Sequence, residues 1–495
     1  MMQSLPDLVV DSVTGVAVVL PVAGPGVRSW AFLIDWSIRT ILSIAWFVVS
    51  ALAYNGRWSL AQPLLPDAAW FVIVVTPPAV VYLLYHPVLE AAMGGRTPGK
   101  RIAGVRIVAR DGGTPGLAAL LTRNVFRIVD SLPLLYGVGL GAAMATKDHV
   151  RIGDIAAGTL LVYDRGSVAL GEHPSSRAQL WKAAALRAQR LSGHGAGDTA
   201  DAAQIADDYR MLAHDLADAR SHTPAPTDLA YLESAYAQAH ATLHHSGWHI
   251  GHALLALFRD EIPEVVRRLK RYIFWSTVIF ILTVAAGFLL VRRHPGLIAL
   301  FASPELIASV EKGQLWTEGL LNVVPSSVLS LQILANNVIV SLVAWCAGFL
   351  FGLGTLYILG LNGMMLGAVF AFTALHGLDG NLLRFIVAHG LVEISVMVLS
   401  GAAGAAVGEA LIRPTRGTRA ESFRFAAAQS GRLLVACVLL LIGSGFIEGY
   451  VSPDPDVPLW VRIVIGVGYW LCMLALLRGW PFRLFGSFAT LRTAR

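Results

Sequence analysis

Charge is scarce in this chain. Only 14% of its 495 residues are Asp, Glu, Lys or Arg, whereas 55% are apolar, and the mean hydropathy is +0.62. No soluble domain of ordinary composition has that balance, so a soluble enzyme is excluded first. Cysteine is nearly absent, and Cys346, Cys437 and Cys472 all fall in apolar runs. Thiols in such surroundings pack as small apolar side chains and imply no disulfide framework. The opening MMQSLPDLVV has no basic segment ahead of an apolar core, so no cleaved signal peptide is expected. HExxH and GxSxG hydrolase patterns are missing, and GGRTPGK falls short of a full phosphate-loop motif. The expectation is therefore a protein without enzymatic activity and without a cofactor.

What the chain does have is runs of about 20 apolar residues, the length a helix needs to cross hydrocarbon. Such runs lie at 30–54, 69–92, 271–292, 333–351, 355–376, 383–411, 429–451 and 459–477. They predict an all-α polytopic membrane protein, a helical bundle with about eight transmembrane helices. The segment 117–145 is different: it carries Arg123 and Arg127 and is split at Ser131 and Pro133. Each half is too short to cross, which predicts a helical hairpin returning to its starting side.

Lys and Arg set the expected orientation, because they are retained on the cytoplasmic side. Residues 94–128 hold Arg96, Lys100, Arg101, Arg106, Arg110, Arg123 and Arg127 against Asp111 as the single acid. Arg413, Arg416, Arg419 and Arg424 mark a second inner loop, and Arg478, Arg483, Arg492 and Arg495 mark the tail. The loop 452–458 offers only Asp454 and Asp456. Both termini are thus expected in the cytoplasm, and the formal net charge of +6 is an orientation signal that needs no nucleic-acid partner. Residues 166–270 are rich in Ala, Asp, Arg and His, as in DDYRMLAHDLADAR. They predict a cytoplasmic helical insert, broken at Pro224 and Pro226.

In the first 165 residues, GVRSWAFLID, GGRTPGKRIAGVRIVARDGG, RNVFRIVDSLP and RIGDIAAGTLLVYD occur in order. This stretch resembles the RDD family, with Arg28, Asp35, Asp130 and Asp154 as the matching motif residues. Some members of that family have been assigned cation/proton antiport. KRIAGVRIV and GTLLVYD are β-branched runs bounded by glycines, predicting a small cytoplasmic sheet joined by GVAVVLPVA. Asp35 and Arg39 are one helical turn apart, as are Arg127 and Asp130, so two ion pairs are expected. They read either as a cation or proton site or as staples that hold the hairpin to the first span.

From the insert onward the chain resembles the stage II sporulation protein M family, through YRMLAHDLADAR, IPEVVRR, ANN, NGMMLG, AHGLVE, GAAGAAVG and FIEGYVSP. The expected organisation is an RDD-like domain over 1–165 and an insert over 166–270 that starts the second region. A membrane domain over 271–455 and an extra span with a basic tail over 456–495 complete it. The resemblance implies a scaffold in a bacterial cytoplasmic-membrane complex, with a partner on the insert such as a MoxR-type AAA+ ATPase system.

Polar residues at similar depth in this second region form the candidate intramembrane site: His389, Glu393, Glu448, Asn336, Asn337 and His376. They read either as a solute or proton site or as a structural cluster of interhelical hydrogen bonds. Gly348 with Gly352, Gly363 with Gly367, and Gly404 with Gly408 are small residues four apart. Together with Gly390 they predict close helix packing or a homodimer seam. His245, His249 and His252 recur at helical spacing and form a weak candidate metal face beside the reading of an exposed histidine-rich helix.

Overall fold

The computed structural model describes residues 7–56, 70–131, 137–164, 176–191, 199–221, 226–244, 254–315, 326–454 and 456–481. The chain divides into two compact units, Met1–Ala253 and Leu254–Arg495. Among the described residues seven helices are long and apolar enough to cross a membrane, and an eighth is apolar over Ile333–Phe349. The chain is therefore an integral, multi-pass membrane protein.

In the first unit, β1 (Asp7–Val10) pairs antiparallel with β2 (Val18–Pro21). Helix α1 (Pro25–Asn55) opens on a proline, whose missing N–H is an orphan there anyway, and stops at Gly56. After it come α2 (Thr76–Ala92), the short α3 (Pro98–Ile102) and β3 (Val105–Ala109). The segment expected as a hairpin forms α4 (Leu117–Val125), α5 (Arg127–Asp130) and α6 (Gly137–Ala145), with α5 against α6. Pro133 lies outside the described residues. Helix α7 (Ile152–Ala157) leads into β4 (Thr159–Tyr163), which pairs antiparallel with β3. The expected single sheet is instead two two-stranded sheets, β1–β2 and β3–β4, with one isolated bridge, Val22–Val162, linking the exit of β2 to β4.

The insert forms α8 (Ser176–Leu191), α9 (Thr199–Ser221) and α10 (Pro226–Leu243), which pack pairwise around Ile205, Leu212, Leu216 and Leu232. Arg187 pairs with Asp208 at 2.7 Å, and Arg177 with Asp215. Although sequence patterns attach this insert to the second membrane region, it packs in the first unit. Tyr236 Oη lies 2.7 Å from Ser12 Oγ, and His240 Nε2 lies 2.8 Å from the Asp111 carbonyl.

In the second unit, α11 (Ile262–Arg293) is followed by a 3-10 turn and α12 (Pro304–Glu311). Then α13 (Ser326–Cys346) and α14 (Leu353–Leu375) form a hairpin through a tight turn in which Phe351 has φ 54° and Gly352 φ 81°. The expected single span 383–411 is two helices, α15 (Asp379–Ile386) and α16 (Gly390–Ile412), parted by a turn at 387–389. Helices α17 (Arg419–Tyr450) and α18 (Leu459–Leu477) complete the unit. The apolar windows of α16 and α17 are 67% and 61% buried, against 17% for α18. So α16 and α17 are the centre of the unit, and α18 lies at its lipid-facing margin. The paired glycines sit at the closest approaches. A Cβ on Gly348 would strike the Gly404 backbone, one on Gly408 the Gly352 backbone, and one on Gly367 the Val284 carbonyl, which is what small residues permit between helices in lipid.

Candidate functional site

The break between α15 and α16 puts His389 at the start of α16, with Glu393 in that helix's first turn. Helix α17 runs antiparallel beside it and brings Glu448, two residues from its C-terminus, to the same level. His389, Glu393 and Glu448 each present a ligating atom, and these atoms all lie within 4.8 Å of one another. His389 Nε2 is 3.7 Å from Glu448 Oε1, and its Nδ1 is 2.8 Å from Ser452 Oγ. Ser444 donates to Glu393 Oε1 at 3.1 Å. Glu448 Oε2 is buried and no donor reaches it.

Asn337 on α13 also engages Glu393. Asn336 is exposed, because adjacent residues on a helix face apart. His376 is exposed at the end of α14, with Nδ1 turned to its own helix at the Phe372 carbonyl. Neither joins the cluster. The His389 imidazole faces Ser452 and Glu448, and His389 meets Glu393 through the backbone, its carbonyl accepting from the Glu393 N–H at 3.4 Å. Gly390 comes directly after the break, its Cα against the Ile386 side chain.

Sequence reasoning missed the residues that hold this arrangement. Arg462 on α18 is 5% exposed and donates to the carbonyls of Ser452 (2.8 Å), Arg384 (3.2 Å) and Val457 (3.1 Å). It thereby fixes the loop that carries the histidine's partner. Ser444 and Ser452 carry the direct contacts, and an isolated serine in an apolar run, as in LIGSGFIEGYVS, is the signal they leave. Chemically, one imidazole and two carboxylates form a donor set for a first-row divalent cation. The serine on Nδ1 orients the ring so that Nε2 faces the carboxylates, as in metal-binding histidines.

The RDD motif residues form a separate, more crowded network in the first unit. Its hub is Glu90, a residue that sequence reasoning passes over although it stands alone at the end of an apolar run. Fully buried, it accepts from Lys100 Nζ (2.8 Å), Arg123 Nη1 (2.9 Å) and Asn124 Nδ2 (2.8 Å), with Arg127 Nη2 at 3.6 Å. Asp154 accepts from Arg123 Nε at 2.6 Å and Arg28 Nη1 at 2.8 Å. Burial alone would raise the Asp154 pKa, but Arg123, Arg28 and Arg151 hold it well below the usual carboxylate range.

Asp130 accepts from the Ile152 N–H at 3.2 Å, and burial pushes its pKa up despite Arg151. Asp35 accepts from Tyr85 Oη (3.0 Å), Thr97 Oγ1 (2.6 Å) and Gly99 N (2.9 Å). The expected Asp35–Arg39 pair is replaced. Arg39 donates to the Tyr82 carbonyl and its guanidinium stacks over the Tyr82 ring, because the nearer donors of α2 and α3 already fill the carboxylate. Arg127 likewise turns to Glu90 rather than forming the expected local pair with Asp130. His245, His249 and His252 lie outside the described residues.

Comparison with known families places three segments. Residues 22–158 match the RDD family, 276–453 match stage II sporulation protein M, and 175–245 match a domain of unknown function, DUF8413. The chain therefore joins an RDD segment to a stage II sporulation protein M segment, with the DUF8413 match between them. No curated protein and no solved structure matches the chain.

Proposed function

We propose that this is a non-enzymatic protein of the bacterial cytoplasmic membrane, both termini cytoplasmic, whose second unit exchanges a divalent cation for protons at His389, Glu393 and Glu448. The observation that carries the reading is the convergence of three ligating atoms within 4.8 Å from the ends of two apolar helices. Two carboxylates, Glu448 buried and Glu393 half-buried, with no Lys or Arg paired to them among the described residues, call for a compensating positive charge, and a cation and a proton compete for that role. The break at 387–389 adds support, since interrupted helices expose backbone groups where membrane transporters bind solutes. Arginine bias supports the orientation.

The test uses the full chain in proteoliposomes with an imposed pH gradient, monitoring uptake of Zn2+ and Mn2+. Glu393→Gln and Glu448→Gln are expected to abolish flux while the melting temperature stays within a few degrees of the native one. Equal flux in native and variant vesicles rules the centre out.

A scaffold role is the second reading, favoured by the insert, whose helices α8–α10 pack as a bundle and match the domain of unknown function DUF8413 over 175–245. On that reading a soluble partner such as a MoxR-type AAA+ ATPase binds α8–α10. Crosslinks from the insert then capture that partner, and flux is absent from native and variant protein alike.

A further inference from the structure

Among the described residues of the first unit, a cavity of about 310 Å3 opens between the start of α1, the end of α2 and α6, within the roughly 300–1,000 Å3 range of small-molecule sites. Its floor is cationic, lined by Arg28, Lys100, Arg123, Arg127 and Arg151, and its walls are apolar, including Phe32 and Ala143. Leu33 and Leu140 form the rim and are 50% and 42% exposed.

The network below the floor does not cancel this charge. Asp35, which also lines the cavity with its carboxylate held by Tyr85, Thr97 and Gly99, together with Glu90, Asp130 and Asp154 makes four buried acids against the five cations. Two side chains at the floor have donors to spare. Arg28, its side chain 9% exposed, gives only Nη1 to Asp154, and its Nε and Nη2 are buried with no acceptor. His86 is 2% exposed and its Nε2 has no partner.

We propose that this cavity takes the phosphate headgroup of an anionic membrane lipid, with Arg28 and His86 donating to phosphoryl oxygens and the acyl chains leaving past Leu33 and Leu140 into the bilayer. A guanidinium with two free N–H groups matches phosphate geometry. Basic pockets between transmembrane helices suit such headgroups, and the apolar rim suits the acyl chains that a lipid carries and a free phosphate ion lacks.

The experiment measures melting temperature and retained ligand by native mass spectrometry on the detergent-purified full chain. The probes are dioleoylphosphatidylglycerol, dioleoylphosphatidylcholine and inorganic phosphate. Phosphatidylglycerol is expected to raise the melting temperature and stay bound, and phosphatidylcholine to do neither. Arg28→Gln removes a charge-assisted bond and weakens phosphatidylglycerol about tenfold. Leu140→Trp blocks the rim, weakens binding comparably and leaves the ion pairs untouched, so it reports on the cavity even if Arg28→Gln fails to fold. Inorganic phosphate reproducing the full shift would overturn the lipid assignment in favour of a free anion. An equal response to both lipids, or phosphatidylglycerol binding unchanged by Leu140→Trp, would overturn the site.

Discussion

The first unit buries Glu90 and Asp154 against Lys100, Arg28 and Arg123, whereas the second sets the half-buried Glu393 and the buried Glu448 against Ser444, His389 and each other. Both carry acids into apolar surroundings, where an uncompensated charge is expensive. The difference lies in where the compensation comes from. In the first unit the chain supplies it, so the charges tie α1, α2, α4 and α7 into one body. In the second the chain supplies hydroxyls and an imidazole, and among the described residues no Lys or Arg pairs with either acid.

The largest expected effect tests that contrast directly. Glu90→Ala leaves Lys100 and Arg123 buried without their shared anion and should cost about 3–5 kcal/mol, seen as a large fall in melting temperature in detergent. Glu393→Ala loses only neutral partners, worth about 1 kcal/mol or less each in membranes, and should leave the melting temperature nearly unchanged. Equal losses in the two variants would mean that the second unit, too, matches its own charges.

A smaller effect is expected at the support of the second centre. Arg462→Lys replaces a planar fork serving several carbonyls with a point charge and should cost about 2 kcal/mol. It should also lower cation flux, because Ser452 is no longer fixed beneath His389; a change in stability with flux intact would disconnect α18 from the site.

The smallest effect concerns acid sensitivity of the insert. Burial holds the His240 imidazole below its ordinary pKa, despite the Asp111 carbonyl, and the neighbouring His244 acts in the same direction as burial. The folded state therefore binds fewer protons than the unfolded chain. His240's contribution is complete above the unfolded value of about 6.5 and is lost as pH falls through the lower folded value. Hydrogen-exchange protection factors in α9 and α10, corrected for the intrinsic pH dependence of exchange, should fall between pH 7 and pH 5, and His240→Gln should remove most of that dependence. Identical pH profiles in the two proteins would exclude His240 as the cause.

Apolar length made the spans legible, and β-branched runs between glycines made β3 and β4 legible, because both signals are local. His389, Glu393 and Glu448 could be grouped because each stands out in an apolar run at a similar depth. Partner choice was not legible. Asp35 and Arg39 have ideal helical spacing, yet Thr97 and the Gly99 N–H reach the carboxylate from a different segment. Depth alone admitted Asn336 and His376, whose helix faces point away. The turn at 387–389 left no mark either, since Val387 and Ala388 suit a helix as well as a turn, and no proline or positive-φ glycine announces the interruption.

That turn has a neighbour whose fit limits how the second unit can move. Gly466 of α18 lies so close to the Val387 carbonyl that no Cβ has room there. Sliding α18 by one turn, about 5.4 Å along its axis, would bring Ile463 or Trp470, which share that face, toward the same spot. The close fit thus sets the axial register of α18 against the turn that carries His389.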